Sequence, residues 1–129
     1  MDREEYQGKI REELQRRYVA LEEDIKFMRL LGQNNSSSRE ITKLDYLNAL
    51  SLNRKLIMFY GALCFYREST GEEELIELER ELEAEFNLVD DLIANRLRER
   101  DEYEKRVSGI SDKLKRINGV FKALGSQNA

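Results

Sequence analysis

The sequence predicts an all-α protein, and three observations carry that expectation. The 129 residues include no Pro and only 7 Gly while 37% are charged, a breaker-poor composition that suits long helices over sheets. Apolar residues recur at intervals of three and four through most of the chain, the spacing of one helical face. Capping-box patterns, Asp2-x-x-Glu5, Ser37-x-x-Glu40 and Thr70-x-x-Glu73, stand at three separate helix starts. One domain is the default at this length, and its core is modest.

The first helix runs from Asp2 to about Leu31. Tyr6, Ile10, Leu14, Tyr18, Leu21, Ile25 and Met28 share a face, and charges such as Arg11, Glu13, Arg16 and Arg17 fill the rest. Gly32 suits a helix C-cap, and the polar stretch from Gln33 to Ser38 reads as a short solvent loop. A loop this short makes the flanking helices antiparallel neighbours.

The second helix starts at Ser37-x-x-Glu40 and passes through Ile41, Leu44, Leu47, Leu50 and Leu52 into the run Leu56 to Tyr66. Asp45, Asn48, Asn53 and Arg54 are expected to keep one edge wet. A helix that is apolar on all sides must be covered on all sides, so the run reads as the buried middle of the protein. Gly61 costs about 1 kcal/mol relative to Ala in a helix, which close approach by a neighbouring helix would offset. The hydroxyls of Tyr60 and Tyr66 should reach water or a partner.

The third segment is the longest. Leu75, Leu78, Leu82, Phe86, Val89, Ile93 and Leu97 form a first stripe. A polar stretch, Arg96 to Glu102, follows. Tyr103, Val107, Ile110, Leu114, Ile117, Phe121 and Leu124 then repeat with alternating spacings of four and three, the most regular heptad in the chain. A continuous helix here would be about 80 Å long, against about 45 Å for each of the other two. The expected architecture is thus an antiparallel hairpin of two helices, each of about 30 residues, plus a long third helix. It is a three-helix bundle with a protruding coiled-coil end, or four helices if the chain breaks at Ser108-Gly109. On this reading residues 1–100 form the bundle, and 101–129 a coiled-coil extension with a frayed tail. Residues 72–94 carry ten acids against Arg80, whereas residues 107–129 carry Lys113, Lys115, Arg116 and Lys122 against Asp112. That segregation complements a helix dipole and also suits antiparallel pairing of two chains.

The sequence points away from catalysis. It contains no His, which removes the commonest general base and metal ligand. Cys64 is the one cysteine, set among apolar residues; it reads as a buried thiol in a reducing compartment rather than a nucleophile. Glu77/Glu81 and Glu81/Glu85 are spaced one turn apart but lack a calcium-type loop, so no metal or cofactor is expected. The apolar run is too short to span a membrane and no secretory signal is visible, which favours a cytoplasmic protein. A formal net charge of -4 and a mean hydropathy of -0.69 fit a water-soluble chain, and the acidity makes general nucleic-acid binding an unfavoured expectation. Basic residues in Arg16-Arg17, Arg96/Arg98/Arg100 and Lys105-Arg106 are interleaved with acids, as on a salt-bridged helix surface.

The expected function is therefore that of a non-enzymatic helical interaction subunit: an adaptor, scaffold or assembly factor. Its partner, another protein or a second copy, would dock on Tyr103, Val107, Ile110, Leu114, Ile117, Phe121 and Leu124. Lys113, Lys115 and Arg116 are candidate contacts to an acidic partner, or to nucleic acid in a regulator. A third reading is a small acidic chaperone that holds a client's amphipathic helix. Phe59-Tyr60-Gly61-Ala62-Leu63 resembles part of a helix of the flagellin export chaperones. The likeness covers five residues of 129 within a different order of segments.

Overall fold

The computed structural model describes residues 2–34 and 40–127, with side chains for 2–30 and 40–124. These residues form five α-helices: α1 (Arg3–Asn34), α2 (Lys43–Thr70), α3 (Glu74–Glu83), α4 (Leu88–Ile93) and α5 (Arg100–Gln127). A 3-10 turn, Ala84–Asn87, joins α3 to α4. Contacts along α2 show that α3, the turn and α4 run as one rod: Arg67 meets Glu79, Tyr60 meets Phe86 and Tyr46 meets the Leu92 carbonyl. The all-α expectation holds. The four rods form an up-down-up-down bundle. Gln7 bonds the Ser69 carbonyl and Lys55 pairs with Asp24, so α1 and α2 are antiparallel. Arg116 meets Glu81 and Arg106 meets Asp91, so α5 runs back along α3 and α4.

The helix ends have physical causes, though not always the expected ones. Asp2 accepts the Glu5 backbone N–H at 2.8 Å, as the first capping pattern implies. α1 continues to Asn34, so Gly32 lies inside it rather than capping it. Ser37 and most of the polar loop fall outside the described residues. Glu40 instead makes an isolated antiparallel bridge with Glu99. α2 begins later, behind a capping box that the sequence reading missed: Thr42 accepts the Asp45 N–H at 3.3 Å, and Asp45 accepts the Thr42 N–H at 2.8 Å. Its other end closes on Gly71, whose φ of 72° suits glycine. Thr70 donates to the Tyr66 carbonyl at 3.0 Å, so it serves the end of α2, and α3 starts at Glu74 without a side-chain cap.

The largest correction concerns the third segment. It breaks at 94–99, not at Ser108-Gly109, which α5 traverses without interruption. Asn95 adopts φ 61°, a left-handed conformation that asparagine tolerates and that ends a helix. Arg98 then donates its backbone N–H to the Glu102 carboxylate at 3.2 Å, beside the start of α5. The polar stretch from Arg96 to Glu102 was thus the reversal, and α5 folds back onto α1 and α3. Among the described residues no coiled-coil end protrudes, and α5 packs into the same core as the helices before it. Tyr103, Val107, Ile110, Leu114, Ile117 and Phe121 are buried in the common core with Leu14, Leu21, Leu56, Leu63, Leu75 and Leu82, and Leu124 packs against it.

The 3-10 turn shifts helical phase by tightening the winding to about three residues per turn. Beyond it, Leu88 and Leu92 face inward, in place of Val89 and Ile93 from the expected stripe. Ile93 is left 66% exposed, while Glu85 is drawn into the interior.

Candidate functional site

The residues assigned to partner docking from the sequence do not form a docking surface. All but Leu124 are buried within their own chain, and Leu124 is partly covered. The basic residues beside them are mostly engaged as well. Lys113 pairs with Glu85, and Arg116, though exposed, pairs with Glu81 at 2.7 Å; Lys115 is exposed too and is the member of the trio without an ion pair among the described residues. The acidic and basic segments meet within one chain.

The unsatisfied apolar surface lies on α2 instead. In a square four-rod bundle, α2 touches α1 on one flank and α3 and α4 on the other, and its fourth side faces water. Asp45, Ala49, Leu52, Leu56, Phe59, Leu63 and Tyr66 point inward. At 100° per residue, the outward line passes through Leu47, Leu50, Arg54, Ile57, Met58, Gly61 and Phe65. The large apolar residues of this line are 40% to 57% exposed. The expectation that the central helix is covered on all sides is therefore overturned. α1, α3 and α5 shield its inner face and its flanks, and no element of the described chain crosses the outside.

The strip runs for about 27 Å from Leu47 to Phe65, at 1.5 Å per residue. Its flank with α1 is a groove of about 240 Å³ lined by Ile10, Glu13, Arg17, Met58, Gly61, Ala62 and Phe65. Arg17 ties this edge together, donating to Glu13 at 2.7 Å and to the Met58 carbonyl at 2.5 Å. The hydrogen bond from Arg17, with the charge of Arg16 beside it, holds the Glu13 carboxyl below its ordinary range. Apart from its own stretch of helix, nothing lies within 4 Å of where a Cβ on Gly61 would stand. Among the described residues, no neighbouring helix fills that space.

Elsewhere the polar groups serve the fold. Asp45, expected at a wet edge, is buried, and it pairs with buried Arg100 at 2.9 Å. The Tyr103 hydroxyl donates to the Asp45 carbonyl at 3.2 Å. Tyr60 reaches Glu83 at 3.3 Å, while the Tyr66 hydroxyl is buried without a hydrogen-bond partner among the described residues. Cys64 is half-buried. Burial, with the Glu79 carboxylate adding to it, pushes its thiol up to about 11, the opposite of an activated nucleophile. Among the described residues, no group of three or more His, Cys, Asp or Glu is placed to hold a metal ion, and no helix is long and apolar enough to cross a membrane. No protein-family model matches the chain, and neither does any curated protein or solved structure.

Sequence reasoning missed the strip because it assigned the whole run to the core. The signal was available. Leu47, Leu50, Arg54, Ile57/Met58, Gly61 and Phe65 step by three and four along a second face, opposite the buried one.

Proposed function

We propose that the protein is a non-enzymatic helical interaction subunit that acts by pairing a helix face with another protein. The observation that carries this reading is the exposed apolar line on α2, interrupted between Leu47 and Phe65 by one charge, Arg54. Contiguous apolar surface of this kind marks an interaction site in soluble proteins. The outward side of α5, by contrast, presents Asp101, Glu104, Lys105, Asp112 and Lys115. The absence of His from the sequence and the raised thiol of Cys64 favour a binding role over a chemical one. An unpaired cysteine fits a reducing, cytoplasmic setting.

Capture of a client's amphipathic helix is a second reading, supported by Met58 and Phe65 beside the α1 groove. The groove has room for a side chain rather than a helix, so a client helix would lie along the strip.

Incorporation of a photo-crosslinking amino acid at Phe65 tests the site in cells that make the protein naturally. Discrete adducts at Phe65, with none from the same group at Lys115, are the expected outcome. Equal labelling at both positions, or none at either, would remove the docking role of α2.

A further inference from the structure

We infer that the occupant of the α2 strip is a second copy of this chain, with the two α2 helices packed antiparallel about a two-fold axis near residues 55 and 56. The inference rests on the docking role proposed for α2 and supplies its partner.

The positions of the outward line are spaced nearly alike on either side of 55/56. When a helix meets its own antiparallel copy, residues whose numbers share a constant sum lie opposite each other, and every contact occurs twice. About an axis at 55/56, Lys43 faces Glu68 of the second copy, at both ends of the contact. Leu47 faces the neighbourhood of Phe65, and Leu50 faces Gly61. Arg54 lies beside Ile57 and Met58 of the second copy, where its stem can cover apolar surface while its head stays in water.

Three observations favour this pairing. Lys43 and Glu68 are both exposed and have no ion-pair partner among the described residues, although many charges of α1, α3 and α5 do. Their signs are complementary only when the helices run antiparallel. Gly61 is unexplained inside the chain: it weakens a helix interior, and the space beside it is open. A Leu50 side chain from a second copy would fill that space, large against small, and let the two backbones approach. Finally, the strip is long and narrow, which matches one helix lying along another better than a globular surface.

A contact of two single helices lies at the small end of stable interfaces, below about 1,200 Å². Reversible association is therefore expected, and sedimentation of the full-length chain tests it. The native protein should shift from its 15.3 kDa monomer toward twice that mass as concentration rises to the order of 100 µM. Phe65→Glu should stay monomeric with unchanged helicity. Lys43→Glu alone, and Glu68→Lys alone, should each weaken association about three- to tenfold. The double variant should recover most of the native affinity, because each end pair is then restored with its signs exchanged.

A monomer throughout this range, or a dimer indifferent to Phe65→Glu, would overturn self-pairing. If Phe65→Glu abolishes the dimer but the single charge variants do not weaken it, or the charge-exchanged double variant does not recover what they lose, the antiparallel register is overturned. If the chain is monomeric yet Phe65 still crosslinks a different protein in cells, self-pairing fails while the docking role of α2 stands. If neither association nor crosslinking occurs, both fail.

Discussion

Asp45 shows how much one side chain can organise. Its carboxylate closes the N-terminal cap of α2 and also grips Arg100, the first residue of α5. Its backbone carbonyl receives the Tyr103 hydroxyl. One residue thus joins the starts of two rods that lie diagonally across the bundle. Removing one partner of a buried ion pair is strongly destabilising, and loss of a helix cap adds about 1 kcal/mol. Asp45→Ala is expected to lower the unfolding free energy by about 3 kcal/mol or more, measured by urea denaturation. A loss below about 1 kcal/mol would show that the latch contributes no more than an ordinary cap. Little of this was legible in the sequence. A lone Asp four residues before Ala49 on an amphipathic stripe looks like a solvent-facing charge, and its partner stands 55 residues later. Ionic contacts at that separation leave no local pattern.

The rod formed by α3 and α4 shows what periodicity conceals. Leu75, Leu78 and Leu82 face the core as their spacing implies. After Leu82 the 3-10 turn advances the phase, and an acid occupies the inward position. Glu85 survives there because Lys113 and Arg106, both on α5, donate to it, the latter at 2.7 Å. Arg106 also holds Asp91 at 2.9 Å, so the acidic rod and the basic helix are clasped along their length. Burial alone would raise the Glu85 carboxyl, but the hydrogen bonds from Lys113 and Arg106 outweigh it and hold the group below its ordinary value.

The folded state therefore releases the Glu85 proton at lower pH than the unfolded state does. The associated stability is fully present above the unfolded value near 4.5 and is lost as pH falls through the folded one. Glu85→Gln should consequently lose less thermal stability than the native chain between neutral pH and strongly acidic pH. Parallel melting curves check this, and an identical acid response of the two proteins would contradict it.

At the scale of the molecule, the acidic segment and the basic segment were visible in the sequence, where they suited the dipole of one long helix or antiparallel pairing of two chains. Whether they met within one chain or between two was not visible. The deciding feature is the six-residue reversal from Ala94 to Glu99, where Asn95 takes a left-handed conformation. Its polar composition was plain, yet the apolar spacing on either side was regular enough to suggest a continuous helix. Once α5 turns back, its heptad seam is consumed by the core, and the outer face of α2 remains in water. Helix count and core were thus mostly readable from spacing, because inward faces obey the helical period. The second apolar face of α2 was readable in the same way, but that it stays open was not, because any helix in a square bundle has four sides and the sequence does not number its neighbours.

Side-by-side thermal unfolding of Leu114→Glu and Phe65→Glu, at protein concentrations low enough to keep every chain monomeric, separates the two faces most directly. Leu114 is 1% exposed and Phe65 is 57% exposed. Leu114→Glu should abolish cooperative unfolding or lower the melting temperature by well over 10 °C, as expected for a charge forced into a core of this size. Phe65→Glu should melt within a few degrees of the native chain. If Phe65→Glu collapses while Leu114→Glu melts normally, the α5 seam faces water, the α2 strip is core, and the site lies where the structure does not put it.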